Sequence, residues 1–318
     1  MKLRTPVKFG LRLVQQRFGV HRPLFASFFV TDRCNVRCDG CVYYDNIDDN
    51  LVRKKEETAP ALKILDALAA EGVPLVSYVG GEPFLRKDLA KLFRAGHQRG
   101  FSQSVITNAM IENPEAVRAA EDTCDEVVFS PHPPSELSGK DPVEKWERAW
   151  TGLASLRAAL TRPRLVCAMI ISKHTVPLLD EMIRRALDAG VDAIRYQPNF
   201  FRPQFPSPEA VGEATETIRR WTTRHPKRFI VPRAFIDEIP SFFGTAPRVA
   251  CTAERRINLG VYLDGTVSAC CPAYVPIGNL FETPLSRMLG GPVERKPDCY
   301  GCHRVDVLRT MGMLGERV

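Results

Sequence analysis

Between Leu75 and Gln197 the chain alternates apolar strand-like runs with amphipathic helix-like segments, and this alternation limits the fold more than any other feature. The strand-like runs are Leu75 to Val79, Ser102 to Thr107, Glu126 to Ser130, Arg164 to Ile171 and Asp192 to Gln197. Helical patterns fill the gaps at Asp88 to Arg99, after Pro114, at Val143 to Leu160 and at Val176 to Ala189. An earlier pair, Phe25 to Val30 and Ala61 to Ala70 with Gly72 and Pro74 closing the helix, adds one more unit. Strands separated by whole helices pair in parallel, so the pattern predicts an α/β sheet with helices outside it.

The first strand runs directly into Thr-Asp-Arg-Cys-Asn-Val-Arg-Cys-Asp-Gly-Cys, residues 31–41. Cys34, Cys38 and Cys41 form a C-x3-C-x2-C array. Iron–sulfur clusters normally take four thiolates, so three from one short loop would hold three corners of a cube and leave the fourth iron open. An open metal position is a mark of a catalytic site. A zinc site, or plain buried cysteines, would also satisfy a C-x2-C pair. One strand–helix unit later comes Gly80-Gly81-Glu82-Pro83. The two glycines let the backbone approach a ligand closely, and Glu82 can accept hydrogen bonds from an ammonium group.

Together, the cysteine array and the Gly80–Pro83 turn resemble the signature of the radical S-adenosylmethionine (radical SAM) enzymes. The resemblance implies a partial (β/α)6 TIM-like barrel over residues 23–200 and a [4Fe–4S] cluster on Cys34, Cys38 and Cys41. The open iron would chelate S-adenosylmethionine, whose reductive cleavage gives a 5′-deoxyadenosyl radical. Gly80, Gly81, Glu82 and Pro83 would contact the methionyl amine. Barrel sites form at the C-terminal strand ends, where Thr107, Asn108, Ser130, His132, Ser172, Arg195 and Gln197 fall. Each of these also reads as a polar strand end facing solvent. By resemblance, Thr107 and Asn108 sit where the family contacts ribose or carboxylate, Ser130 joins the cofactor set, and Ile194 to Gln197 lie near the adenine. His132 departs from the small polar residue expected there and is the candidate proton donor or substrate contact. The family's aromatic residue before the third cysteine is replaced by Gly40, with Tyr43 or Tyr44 as a substitute for the adenine contact. Cys124 and Cys167 read as small buried hydrophobes.

A second set of cysteines lies at Cys251, Cys270, Cys271, Cys299 and Cys302. Between the first two, Ile257 to Leu263, the Asp264-Gly265 turn and Thr266 to Ala269 read as a hairpin. Four thiolates gathered by a hairpin and a C-x2-C turn complete a cluster or a tetrahedral zinc site. In context the stretch 248–318 resembles the auxiliary-cluster module of the family, SPASM or its shortened twitch form. The ligands implied are Cys251, Cys270, Cys299 and Cys302 on one auxiliary [4Fe–4S] cluster. Residues 201–247, rich in proline, read as the connection from barrel to this small domain.

The net charge of +7 is unevenly spread. Residues 1–22 hold Lys2, Arg4, Lys8, Arg12, Arg17 and Arg22 and no acid. Removing those six from the 44 basic residues leaves 38 against 37 acidic ones, which argues against a nucleic-acid groove. Val7, Leu11, Val14 and Phe18 recur at helical spacing in this arm. They are expected either to pack on the barrel or to touch an anionic membrane as a basic amphipathic helix. No membrane span or secretory signal is evident, and ten cysteines without a secretory signal read as ligands in a reduced, cytoplasmic setting.

The resulting expectation is a radical SAM oxidoreductase, or an adenosyl or carbon-bond-forming transferase, served by a reductant such as flavodoxin or ferredoxin. The auxiliary cluster would relay electrons. A small metabolite or lipid substrate is expected, since the layout resembles the radical SAM enzymes that attach adenosyl to hopanoids. A peptide- or protein-modifying maturase is the alternative, and a non-catalytic metal-binding scaffold is the reading from another class.

Overall fold

The computed structural model describes residues 4–41, 56–199, 201–230, 233–244, 253, 255–270, 276–291 and 293. In chain order the elements are α1 (Arg4–Arg17), β1 (Phe25–Thr31), α2 (Thr58–Ala70), β2 (Leu75–Gly80), α3 (Leu89–Gln98), β3 (Ser102–Thr107), α4 (Pro114–Thr123), β4 (Glu126–Phe129), α5 (Pro142–Ala159), β5 (Arg164–Ile171), α6 (Leu179–Asp188) and β6 (Ala193–Pro198). They are followed by α7 (Pro208–Arg224), α8 (Arg233–Phe242), β7 (Asn258–Tyr262), β8 (Thr266–Ser268), β9 (Pro276–Asn279) and the short α9 (Leu285–Met288).

Among the described residues, nine strands form one open sheet in the order β6-β5-β4-β3-β2-β1-β7-β8-β9. β1 through β6 pair in parallel, each with the next, giving the partial barrel architecture. Strands covered on both faces need apolar residues on both faces. β1 is such a strand, buried from Ala26 through Thr31. The helices show the complementary one-sided pattern. α6 buries Leu179, Met182, Ile183 and Ala186, a spacing that gives one apolar stripe. α4 starts where Asn113 Oδ1 accepts the Ala116 N–H at 3.1 Å with Pro114 in the first turn.

Two arrangements go beyond the sequence pattern. The hairpin expected after Ile257 is present, but β7 also pairs in parallel with β1, in register from Phe25↔Asn258 to Phe29↔Tyr262. It therefore extends the barrel sheet. β8 runs antiparallel to β7, so Cys270, just after it, lies at the end of the sheet where β1 begins. The cysteine loop leaves the opposite end of β1. Secondly, the proline-rich stretch is well structured where it is described. α7 packs between α6 and α8, with Trp221 Nε1 donating to Asp180 of α6 at 2.8 Å. Phe229 then bridges to β6, capping that edge of the sheet.

α1 lies across the N-terminal strand ends. Phe9 and Leu13 pack on Leu24, Phe25 and Ile257, and Gln16 Nε2 donates to the Arg22 and Arg255 carbonyls at 2.7 and 2.8 Å. The arm thus packs on the barrel, but through Phe9, Leu13 and Gln16. Val7, Leu11, Val14 and Phe18 face outward.

Candidate active site

The ends of β2, β3, β4 and β5 all hold the loop that carries Cys34, Cys38 and Cys41. From β2, the Gly81 N–H donates to the Thr31 carbonyl at 2.9 Å and the Glu82 N–H to the Arg33 carbonyl at 2.7 Å. A Cβ at Gly81 would stand 2.1 Å from the Arg33 oxygen, and one at Gly80 2.3 Å from the Thr31 oxygen. Gly80 also adopts φ +143°, which other residues avoid. The glycine pair therefore permits the close approach of the cysteine loop. Below it, Arg86 is fully buried and its Nη1 donates to the Val30 carbonyl at 2.7 Å, fixing the strand end from which the loop departs. Asp88 receives the Arg86 Nε at 2.7 Å. Glu56 accepts from Thr31 and from Arg33 and ties down the base of the loop.

Glu82 is buried and its carboxylate meets three donors: the Phe84 N–H at 3.0 Å, Thr107 Oγ1 at 2.8 Å and the Asn108 N–H at 2.8 Å. Burial dominates over these donors and pushes its pKa up to about 7. Pro83 starts the following 3-10 turn, Pro83–Leu85, and is buried. Asn108 extends the grip, donating from Nδ2 to Asn35 Oδ1 at 2.8 Å inside the cysteine loop. Thr107 and Asn108 thus act first on Glu82 and the loop.

The β4 end meets the middle of the loop. Cys38 forms a bridge with Leu137, the Asp39 N–H donates to the Glu136 carbonyl at 2.8 Å, and the Ser138 N–H to the Arg37 carbonyl at 2.8 Å. His132 stands beside Cys38 with Nδ1 3.0 Å from Glu136 Oε1 and Nε2 3.4 Å from Ser130 Oγ. Burial works against a charged imidazole here, yet Cys38 and Glu136 outweigh it and hold the His132 pKa well above its ordinary value. From β5, His174 Nε2 lies 3.0 Å from Asp39 Oδ2. Hydrogen bonds from Gln204 and His174 hold the Asp39 carboxyl below the usual carboxylate range.

Gln204 explains Gly40. A Cβ at residue 40 would lie 2.4 Å from Gln204 Cγ, so this side chain, arriving from the link after β6, fills the space that a side chain at residue 40 would need. Gln204 is buried, and among the described residues its Oε1 has no hydrogen-bond donor. Tyr43 lies outside the described residues, as do Tyr44, Cys251, Cys271, Cys299 and Cys302.

Other sequence candidates fall elsewhere. Ile194 has a fully buried side chain, its N–H donates to the Arg228 carbonyl at 2.7 Å, and its carbonyl accepts from the Ile230 N–H at 2.9 Å. Arg195 pairs with Glu126 at 3.2 Å, at the start of β4 rather than its end. Ser172 caps a turn, its hydroxyl accepting from the His174 and Thr175 N–H groups. Gln197 is half-buried one residue before the end of β6. Cys124 and Cys167 are buried, as expected. The residues that sequence reasoning missed are Asn35, Arg86, Glu136 and Gln204. Glu136 alone carried a usable signal, four residues after His132.

The donor set suits an iron–sulfur cube. Cys34 is pushed up to about 11, chiefly by burial, with Glu82, Cys38 and Cys41 close enough to add to the shift. Among the described residues, the His, Cys, Asp and Glu trio gathered within 4.8 Å is Cys38, His132 and Glu136. The three cysteine sulfurs therefore spread wider than one ion's shell while staying within electrostatic reach of each other. A bound metal would supply the positive charge that the Cys34 thiol needs to ionise.

A sequence model of the Radical SAM superfamily matches residues 28–186, half of the chain. Two characterised relatives align over shorter stretches. Fe-coproporphyrin III synthase of Methanosarcina barkeri is 30% identical over 89 residues, covering 28% of this chain and 22% of its own. PqqA peptide cyclase of Bradyrhizobium diazoefficiens is 33% identical over 100 residues, 31% of this chain and 25% of its own. The matches thus span about a quarter of those relatives' length. Among solved structures, Streptococcus suis SuiB bound to the precursor peptide SuiA superposes with TM-score 0.65 at 15% identity, over 90% of this chain and 69% of that one. AdoMet-bound anSMEcpe gives 0.63 at 14% identity, over 85% and 78%. These likenesses are of fold.

Proposed function

The chain belongs to the radical SAM superfamily, and from that membership we propose that it cleaves S-adenosylmethionine reductively and removes a hydrogen atom from a peptide. The observation that carries the reading is the convergence of four strand ends on the Cys34–Cys41 loop, with Glu82 buried beside it. Cys34, Cys38 and Cys41 would hold a [4Fe–4S] cluster with one open iron. When bound, the cluster supplies the electron that splits S-adenosylmethionine into methionine and the 5′-deoxyadenosyl radical. Glu82 would receive the methionyl ammonium, with Thr107 and Asn108 fixing the carboxylate in place. Gln204 Oε1, buried without a donor among the described residues, offers an acceptor for an exocyclic amine where Gly40 leaves no side chain. His132 and Glu136 flank Cys38 and would orient that ligand.

A peptide substrate is favoured because PqqA peptide cyclase is among the relatives, and the similar structures include one with a precursor peptide and one with AdoMet and a peptide. A small metabolite is the second reading, favoured by Fe-coproporphyrin III synthase, whose name points to a tetrapyrrole. Cys251, Cys270, Cys299 and Cys302 would hold an auxiliary cluster in a SPASM- or twitch-type module. Cys270 stands at the end of the sheet remote from Cys34, so this cluster would pass electrons rather than touch substrate. A flavodoxin or ferredoxin would supply the reducing electron.

The test is isotope transfer with anaerobically reconstituted protein, S-adenosylmethionine and a reductant. Deuterium should reach 5′-deoxyadenosine from uniformly deuterated candidate peptides and not from deuterated small metabolites. The reverse pattern selects the second reading. Transfer from neither, with deoxyadenosine still formed, would sink both substrate assignments.

A further inference from the structure

The outward face of α1 is the largest feature that the catalytic reading leaves unused. Val7, Leu11, Val14 and Phe18 are 69, 57, 52 and 79% exposed. At 100° per residue they fall within an arc of about 60° along one side of the helix. Phe9, Leu13 and Gln16 lie on the opposite side and are the residues that bind α1 to the barrel. The helix is therefore apolar on two opposed faces, and among the described residues only one of them is covered. A contiguous exposed apolar stripe on an otherwise well-packed protein marks an interaction surface.

Charge selects the partner. Residues 1–22 contain six basic residues and no acid. Two of the six are engaged inward: Arg22 pairs with Glu71, and Arg12 donates to the Glu71 carbonyl. Lys8 and Arg17 flank the stripe on either side of the helix. An outward apolar line with basic residues along both margins is the arrangement of a helix lying flat in a bilayer interface, its cations at the headgroups. A second copy of this chain would bring the same positive margins together, which disfavours self-association.

We propose that α1 docks the protein on an anionic lipid surface through Val7, Leu11, Val14 and Phe18, with Lys8 and Arg17 at the headgroups. The docked helix covers the N-terminal strand ends, at Leu24, Phe25 and Ile257. The Cys34–Cys41 loop leaves the other end of β1. Docking therefore turns the catalytic mouth away from the bilayer, toward water. The arm locates the enzyme and does not deliver a lipid to its site, and the proposal stands independently of the substrate reading above.

The test is flotation of the full-length protein with phosphatidylglycerol/phosphatidylcholine vesicles and with phosphatidylcholine alone. The protein should float with the anionic vesicles and release at high salt. Each basic residue at an anionic surface contributes about fivefold to partitioning, so Lys8→Glu with Arg17→Glu should reduce flotation at least tenfold. Leu11→Ser with Phe18→Ser should do the same, and because these side chains are exposed, the thermal melt should be unchanged. Flotation that is absent, or equal for the parent and both variants, overturns the proposal. A dimer in solution that Leu11→Ser and Phe18→Ser split would also overturn it, assigning the stripe to self-association.

Discussion

Replacing Glu82 by Gln should remove a pH dependence from the stability of the cluster-free protein. The carboxylate is buried and its pKa is raised from 4.5 to about 7, mainly by burial. A raised carboxylate pKa means that the folded chain binds the proton more tightly than the unfolded chain. The associated stability is complete below about pH 4.5 and is lost as the pH climbs through 7. The full span is about 3.4 kcal/mol, of which roughly 2.5 kcal/mol falls between pH 5 and pH 8. Gln is neutral throughout and lacks this loss. It also turns an amide N–H toward either Asn108 N or the Phe84 and Thr107 donors, leaving at least one buried donor unsatisfied at a cost of about 1–3 kcal/mol. The parent should therefore lead Glu82→Gln at pH 5 and lose that lead by pH 8. Urea unfolding of both proteins at a series of pH values measures the gap, and taking the difference cancels the other titrating groups. A gap that stays flat, or widens with pH, would refute the reasoning, because the three donors would then have outweighed burial.

Gly81→Ala should displace the cysteine loop, since the new Cβ meets the backbone of Arg33 rather than a movable side chain; iron bound after reconstitution should fall toward the level of Cys34→Ala. His132→Phe removes a hydrogen-bonding partner of Cys38, and potentials of such clusters follow hydrogen bonds to their sulfurs. With about 1 kcal/mol at stake, the midpoint potential should drop by roughly 40 mV in an EPR-monitored redox titration, and an unchanged potential would leave His132 a packing residue. Arg86→Met leaves the Val30 carbonyl and Asp88 without their buried donor; a loss of about 3 kcal/mol is expected in urea unfolding.

What could be read from the sequence was what is local. Three cysteines in one loop and a Gly-Gly-Glu-Pro turn one unit later are each set within a dozen residues, and the strands and helices between them announce themselves by period. What could not be read depended on contacts between distant segments. Periodicity located two faces on α1 but did not say which one docks; Phe9 and Leu13 won because Leu24, Phe25 and Ile257 offer them a matching apolar surface. Gly40 looked like a missing adenine contact until Gln204, 164 positions further on, proved to occupy its space. The bridge from Phe229 to Ile194 likewise joins segments that no local pattern pairs. The pairing of β7 with β1 joins segments more than 200 residues apart, and no local pattern encodes it.

The most direct test of the central claim is the formation of 5′-deoxyadenosine and methionine from S-adenosylmethionine by anaerobically reconstituted, dithionite-reduced protein, compared with the Cys34→Ala variant. The account predicts both products, dependent on reduction, from the parent and none above background from the variant. Absence of product from a parent that has bound its iron, or equal product from Cys34→Ala, would contradict it.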